Sequence, residues 1–322
     1  MKIKTQSRIN NEEEIMKNEE KLKEEKSGNI QTKSMWIEAI KKLSRDKMAM
    51  VGIGVILIII MSIIFLPLIY TTSINEIDFG KSTLSPSWEH PFGTNDLGQD
   101  QLARILYGGR ISLTVGIAAM LVAIVLGTMI GAIAGYYGGI VDNLLMGITD
   151  LFLALPQLPL LLLVVYLFRE KIKTIAGPEV GIFILIVLVI GALNWMSVAR
   201  LVRANFLKLR EMEFVSAAKA MGATQTRIIF KHILPNVLGV IIVAATLAVG
   251  NAIITESTLS FLGLGFPPDV PTWGRMLYDA QNYLTSAPHL AIFPGLAIFL
   301  TVLSINYLGD GLRDAFDPKT RE

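Results

Sequence analysis

Six stretches of this chain are too long and too apolar for an ordinary soluble core: Met48–Tyr70, Ile111–Gly135, Leu144 to about Phe168, about Val180–Val198, Val237–Thr255 and Leu290–Leu308. A hydrocarbon layer about 30 Å thick is spanned by roughly 20 helical residues, so each run is read as a transmembrane helix. Composition agrees, with 52% hydrophobic and only 17% charged residues. The fold class expected is an all-α polytopic membrane protein with six transmembrane helices. The first run begins well inside the chain and lacks a small-residue cleavage pattern after it, so it is expected to remain as an anchor.

Basic residues orient such a bundle. With the N-terminus inside, 22 Lys and Arg fall on the cytoplasmic side and 7 on the other, counted from the sequence. Both termini are therefore expected to be cytoplasmic, against one local exception in Arg169, Lys171 and Lys173. The net charge of +2 and the scattered basic residues give no stripe for nucleic acid. Without cysteine there is no disulfide framework, thiolate metal site or cysteine nucleophile.

The domain reading is in four parts. Residues 1–33 form a Glu- and Lys-rich cytoplasmic tail, read as a solvated, disordered extension. Residues 34–106 carry the first membrane helix and an outer loop; 107–310 form a five-helix core with a cytoplasmic loop at about 200–236; and 311–322 form a cytoplasmic C-terminal tail. In the outer loop, Pro86, Pro91, Gly93 and Gly98 punctuate irregular chain before Gln99–Tyr107 resumes helical spacing, as an interfacial helix.

Motifs for chemistry are weak. "NEIDFGKS" has Gly80, Lys81 and Ser82 of a phosphate-cradling loop but Asn75 in place of its first glycine. The three histidines lack His-Glu-x-x-His spacing, and "LTVGIAAM" lacks the Tyr-Gly that would continue a potassium filter. Gly127, Gly131 and Gly135 recur every four residues and mark a helix-packing face. Pro156 and Pro159 are expected to kink the third span near its middle. Asp150 and Glu256 lie near span ends, where an acid is expected to be paired, inside the bundle or in reach of water.

The segment "EFVSAAKAMGATQTRIIFKHILPN" is polar and basic although it joins two membrane runs. Phe214, Ala217, Ala218 and Met221 fall at helical spacing and make a narrow apolar face. Gly222 suits a helix end and Thr224 the cap of a second helix, Thr226–Leu234, closed by Pro235. An amphipathic helix on anionic lipid would use Arg227 and Lys231 but leaves the alanines and the glycine unexplained.

This segment resembles the cytoplasmic EAA signature of bacterial ATP-binding-cassette importer permeases, through Glu213, Ala217, Ala218, Gly222, Leu234 and Pro235. "HPFGTNDLGQDQLARILYGGRISLTVG", "GYYGGIVDNLLMGITDLFLALPQLPL", "ESTLSFLGLGFPPDVPTWGRML" and "NYLGDGLRDAFDPK" are similar to the C-type subunit of the dipeptide and oligopeptide permease family, over roughly residues 35 to 318. Gly98, Gln99, Asp100 stand where relatives commonly have Gly-Arg-Asp. The resemblance implies a type I importer permease fold in a bacterial cytoplasmic membrane, and half of a translocation pathway for di- or oligopeptides. It implies as partners a homologous B-type permease, two cytoplasmic ATPase subunits and an extracytoplasmic solute-binding protein. The ATPase-coupling loop would comprise Glu213, Phe214, Ala217, Ala218, Met221, Gly222, Ala223, Leu234 and Pro235. The chain itself would be no enzyme and bind no cofactor, ATP and Mg being used by the partner subunits. Nickel or a metal chelate is the alternative cargo, for which His90 and His289 are the candidate ligands; a stand-alone channel or proton-coupled carrier is the other class.

Overall fold

The computed structural model describes residues 35–316. The expected tail at 1–33 and residues 317–322 lie outside them. A short N-terminal unit ends at Lys42 and the body begins at Leu43. Helix α1 (Met35–Leu43) has Glu38 in its first turn and Lys41 and Lys42 in its last, the charge order that suits the helix dipole.

The body is a bundle of α2 (Lys47–Ile69), α3 (Gln101–Tyr137), α4 (Gly139–Ala154), α5 (Gln157–Ala176), α6 (Pro178–Arg210), α7 (Glu213–Ala220), α8 (Gln225–Phe261), α9 (Trp273–Ala280) and α10 (His289–Phe316). Among the described residues five helices are long and apolar enough to cross a membrane, and a sixth crossing is counted if the bent pair α4 and α5 is one span. The third span is thus broken rather than kinked: α4 and α5 meet at 88°. Leu155 ends α4 in extended geometry, Pro156 sits at the cap of α5, and Pro159 falls in its first turn, where an N–H has no helical acceptor to lose. There is also no separate interfacial helix before the second span. Asp100 caps α3 by accepting from Ala103 N at 2.8 Å, and the helix then runs unbroken through the boundary set at 106/107. At the other end, α10 continues to Phe316, so the first part of the expected C-terminal tail is helical.

Close approach of α3 and α6 makes the centre of the bundle. A Cβ on Gly127 would stand 2.6 Å from that of Val198, and one on Gly135 2.6 Å from that of Phe206, so the four-residue glycine ridge is where α6 lies. Val198, Val202 and Phe206 beside the ridge belong to one buried cluster, while Val115, Ala119, Leu161, Val165, Ile182, Ile186 and Ile190 belong to the main one.

Proline carbonyl vacancies are filled from α3. Pro67 cannot return an N–H to the carbonyl of Ile63, and Arg110 Nε donates to it at 3.2 Å. Pro294 leaves the carbonyl of Leu290 in the same position, and Gln101 Nε2 donates to it at 3.1 Å. In lipid such a carbonyl has no water to turn to, so two polar side chains at the start of α3 tie down α2 and α10.

Candidate functional site

At the Glu213 end, α6 stops at Arg210, whose Nη1 donates to the C-terminal carbonyl of Tyr136 in α3 at 3.0 Å. A turn through Glu211 and Met212 starts α7. Val215 and Ala218 face inward and are buried in a cluster with Phe206, Ile228, Ile233 and Val237. Phe214, Ala217 and Met221 point away from it: Met221 is 81% exposed and Phe214 41%. The expected apolar face is therefore divided. Ala218 belongs to the interior of this chain, because Val215 supplies with it a second, competing stripe at the same helical spacing. Glu213 is exposed in the first turn of α7, where a carboxylate suits the helix dipole.

Gly222 has φ +80°, and the turn is closed by Gly222 N to Lys219 O and Ala223 N to Ala218 O, each 3.0 Å. Ala223 is half-buried, and Thr224 then caps α8, accepting from Arg227 N at 3.4 Å. By its sequence the second helix of this segment, Thr226–Leu234, should close at Pro235. Instead residues Ile228–Ile233 form a π-helical stretch, with Leu234 N bonded to Ile229 O, and the helix continues through Leu234 and Pro235 into the membrane. Pro235 has no N–H for the carbonyl of Lys231, and the widened π turn lets the chain pass it without breaking. Asn236 Nδ2 donates to the nearby His232 carbonyl at 2.7 Å.

Ion pairs fix the neighbouring α4. Asp142 takes a bidentate contact from Arg203, with Nη2 to Oδ2 at 2.6 Å, and Asp150 pairs with Arg200. Asp150 is thus a paired acid. Glu256, at the far end of α8, is fully buried and accepts from Ser260 at 2.7 Å, Thr272 at 2.9 Å and Ser112 at 3.3 Å. Ser112 Oγ in turn accepts from Trp273 N at 3.3 Å. The carboxyl therefore ties α3, α8 and the start of α9 together. Nothing in the sequence joined Ser112 and Thr272 to Glu256, since they meet only across 144 and 16 residues.

The other loops gather at this Trp273 end. Asp100 Oδ2 accepts from Tyr70 Oη at 2.7 Å and lies 2.8 Å from His90 Nδ1. Gln99, at the variant position, accepts from Arg104 at 2.7 Å and Asn95 at 2.8 Å, a neutral structural role. Burial raises the Asp279 carboxyl above its ordinary range, against the pull of Arg275 at 2.8 Å. His90 is committed to Asp100, and His289 packs beside Gly93. Among the described residues no three His, Cys, Asp or Glu converge as metal ligands, so the metal-cargo alternative has no support.

Residues 127–322 match the family described as binding-protein-dependent transport system inner membrane component. The chain belongs to that family. Its residues 34–86 further match the N-terminal TM domain of oligopeptide transport permease C. This membrane component is 44% identical over 288 residues to the dipeptide transport system permease protein DppC of Alkalihalophilus pseudofirmus, covering 89% of this chain and 91% of that one. It is 38% identical over 289 residues to the oligopeptide transport system permease protein OppC of Bacillus subtilis, covering 90% and 91%. The glutathione transport system permease protein GsiD of Pectobacterium atrosepticum is 39% identical over 288 residues, covering 89% and 92%. In three dimensions it resembles a chain of the MetNI methionine ABC transporter in inward-facing conformations, with TM-score 0.52, 19% identity, and 66% and 97% of the two chains covered. A second form of that transporter gives 0.50 at 20% identity, covering 67% and 96%. The expected fold, an all-α, multi-pass type I importer permease of the inner membrane, is thereby established.

Proposed function

We propose that this chain forms half of the membrane pathway of an ATP-driven importer of di- or oligopeptides. The relatives named for dipeptides, oligopeptides and glutathione support a peptide cargo. The observation that carries the mechanism is the divided α7. One face is locked by Val215 and Ala218 to α6 and α8, and the other presents Phe214, Ala217 and Met221 outward. A partner ATPase subunit seated on the outer face, with Glu213 meeting one of its cations, cannot move α7 without moving α8. At about 1.5 Å per residue, the 37 residues of α8 make a lever of roughly 55 Å. It ends in the Glu256 network beneath α9.

ATP and Mg would be used by two ATPase subunits on the cytoplasmic side, which the basic residues assign to the Glu213 end together with both termini. Closure of those subunits would push α7, and the bundle would pass between outward- and inward-facing arrangements against a homologous B-type permease. A solute-binding protein would deliver peptide at the Trp273 end.

The test is purification of the tagged chain with its partners in mild detergent, followed by ATPase assay with and without the binding protein. Recovery of a second permease and ATPase subunits, with turnover stimulated by a peptide-loaded binding protein, is expected. Recovery of the folded chain alone, or stimulation by a non-peptide solute only, would overturn the corresponding part of the reading.

A further inference from the structure

At the Trp273 end a cavity of about 270 Å3 opens between the end of α2 and the start of α3, bordered by Pro67, Tyr70, Thr71, Tyr107 and Arg110. It lies where polar loop changes to apolar span: α2 ends at Ile69 and the apolar run of α3 starts at Ile111. Gly108 and Gly109 lie just before Arg110 in α3. Their missing side chains let the Pro271–Thr272 segment and Ile63 press against α3, which brings the Ile63 carbonyl into reach of Arg110.

Arg110 is exposed, and its one hydrogen bond from the guanidinium among the described residues is that from Nε to Ile63. That bond uses one of five donors and fixes the plane of the guanidinium, leaving both Nη groups. No carboxylate is paired with it among the described residues. The acid bonded to Tyr70, Asp100, is engaged with His90 and the cap of α3, and Glu89, whose backbone carbonyl accepts from Tyr70, pairs its carboxylate with Lys81 at 2.6 Å. Tyr107 has no hydrogen bond from its hydroxyl among the described residues, and Tyr70 and Tyr107 are of the residue type that settles at headgroup depth. At about 30 Å3 per water the cavity has room for roughly nine, enough for a phosphodiester and its glycerol.

We infer that this cavity is a lipid site, in which Arg110 and Tyr107 hold the phosphodiester headgroup of a bilayer phospholipid against the junction of α2 and α3. An anchored cation unpaired at the membrane boundary, with a planar fork free, takes phosphate oxygens in preference to water. The Ile63 bond then has two roles, filling the vacancy left by Pro67 and aiming the fork. This rests on the membrane placement of the chain and is independent of what it transports.

The test is native mass spectrometry of the detergent-purified permease complex titrated with phosphatidylglycerol. Arg110→Met is expected to lose one retained lipid per chain and to bind roughly fivefold more weakly at that site; Tyr107→Phe should weaken it less. Unchanged lipid count and affinity in folded Arg110→Met would overturn the site, as would displacement of the lipid by a carboxylate peptide, which would make the anion a cargo carboxylate. In the unaltered complex, phosphatidylglycerol with a photoreactive headgroup should label residues 70–74 and 106–110. Labelling confined to other segments would overturn the inference even if the variants fail to fold.

Discussion

Gly222 offers a perturbation whose cost can be separated from packing. Its φ of +80° is one that L-residues adopt reluctantly, while a Cβ built there meets nothing within 4 Å. Any substitution therefore acts through the backbone alone. The left-handed region costs an ordinary residue about 1–2 kcal/mol, less for Asn, and more for a β-branched side chain. With tenfold per 1.4 kcal/mol, Ala would shift the turn against its native form by about fivefold and Val by about thirtyfold or more. What is displaced is the outer face of α7, because the turn sets the bond of Ala223 N to Ala218 O and the start of α8. Peptide uptake and binding-protein-stimulated ATPase activity in proteoliposomes, at matched permease content, should fall in the order Gly, Asn, Ala, Val, while membrane insertion is unchanged. Full coupling in Gly222→Val would refute the role of the turn. Equal loss in Asn and Val would refute the conformational explanation, since it would show that any side chain there is harmful.

The two alanines of α7 should behave differently. Ala217→Glu, on the exposed face, is expected to leave folding intact and to release the ATPase subunits in a pull-down, whereas Ala218→Glu buries a carboxylate beside Phe206 and Ile228 and should reduce folded protein in the membrane. Undiminished ATPase recovery with Ala217→Glu would place docking elsewhere. Arg203→Met leaves the buried Asp142 without its donor and should cost about 1–3 kcal/mol; thermal unfolding in detergent should show that Asp142→Asn in the same chain recovers part of it. Glu256→Leu removes the acceptor of three hydroxyls and should lower thermal stability by roughly 1–3 kcal/mol, with Glu256→Gln milder. Melting of Glu256→Leu at the temperature of the unaltered chain would show that the network adds little.

Sequence signals match the structure where the physics is local. Gly222 ends α7 in the left-handed region and Thr224 caps α8, because both depend on a few bonds within the same turn. The stripe of α7 was different. Phe214, Ala217 and Met221 and the pair Val215 and Ala218 satisfy the same helical period, and only the presence of Phe206, Ile228 and Ile233 on one side determines which faces inward. The break before Pro156 was likewise undecided by sequence: a proline permits either a kink or a stop, and the bonds of Asp142 and Asp150 to α6 hold α4 on its own course.

By itself the sequence determined that this chain lives in a bilayer as a helical bundle, since runs of apolar residues have no other stable solvent and helices satisfy their own backbone there. Its signature loop and similarity over most of the chain placed it among the importer permeases. Tertiary structure alone decided how long-range partners are shared. Arg110 and Gln101 fill carbonyls left open by Pro67 and Pro294, and Glu256 gathers hydroxyls from three segments. Periodicity reports which face of a helix is apolar, but a buried polar group is satisfied by whatever the fold brings within about 3 Å, and that is a property of the whole packed chain.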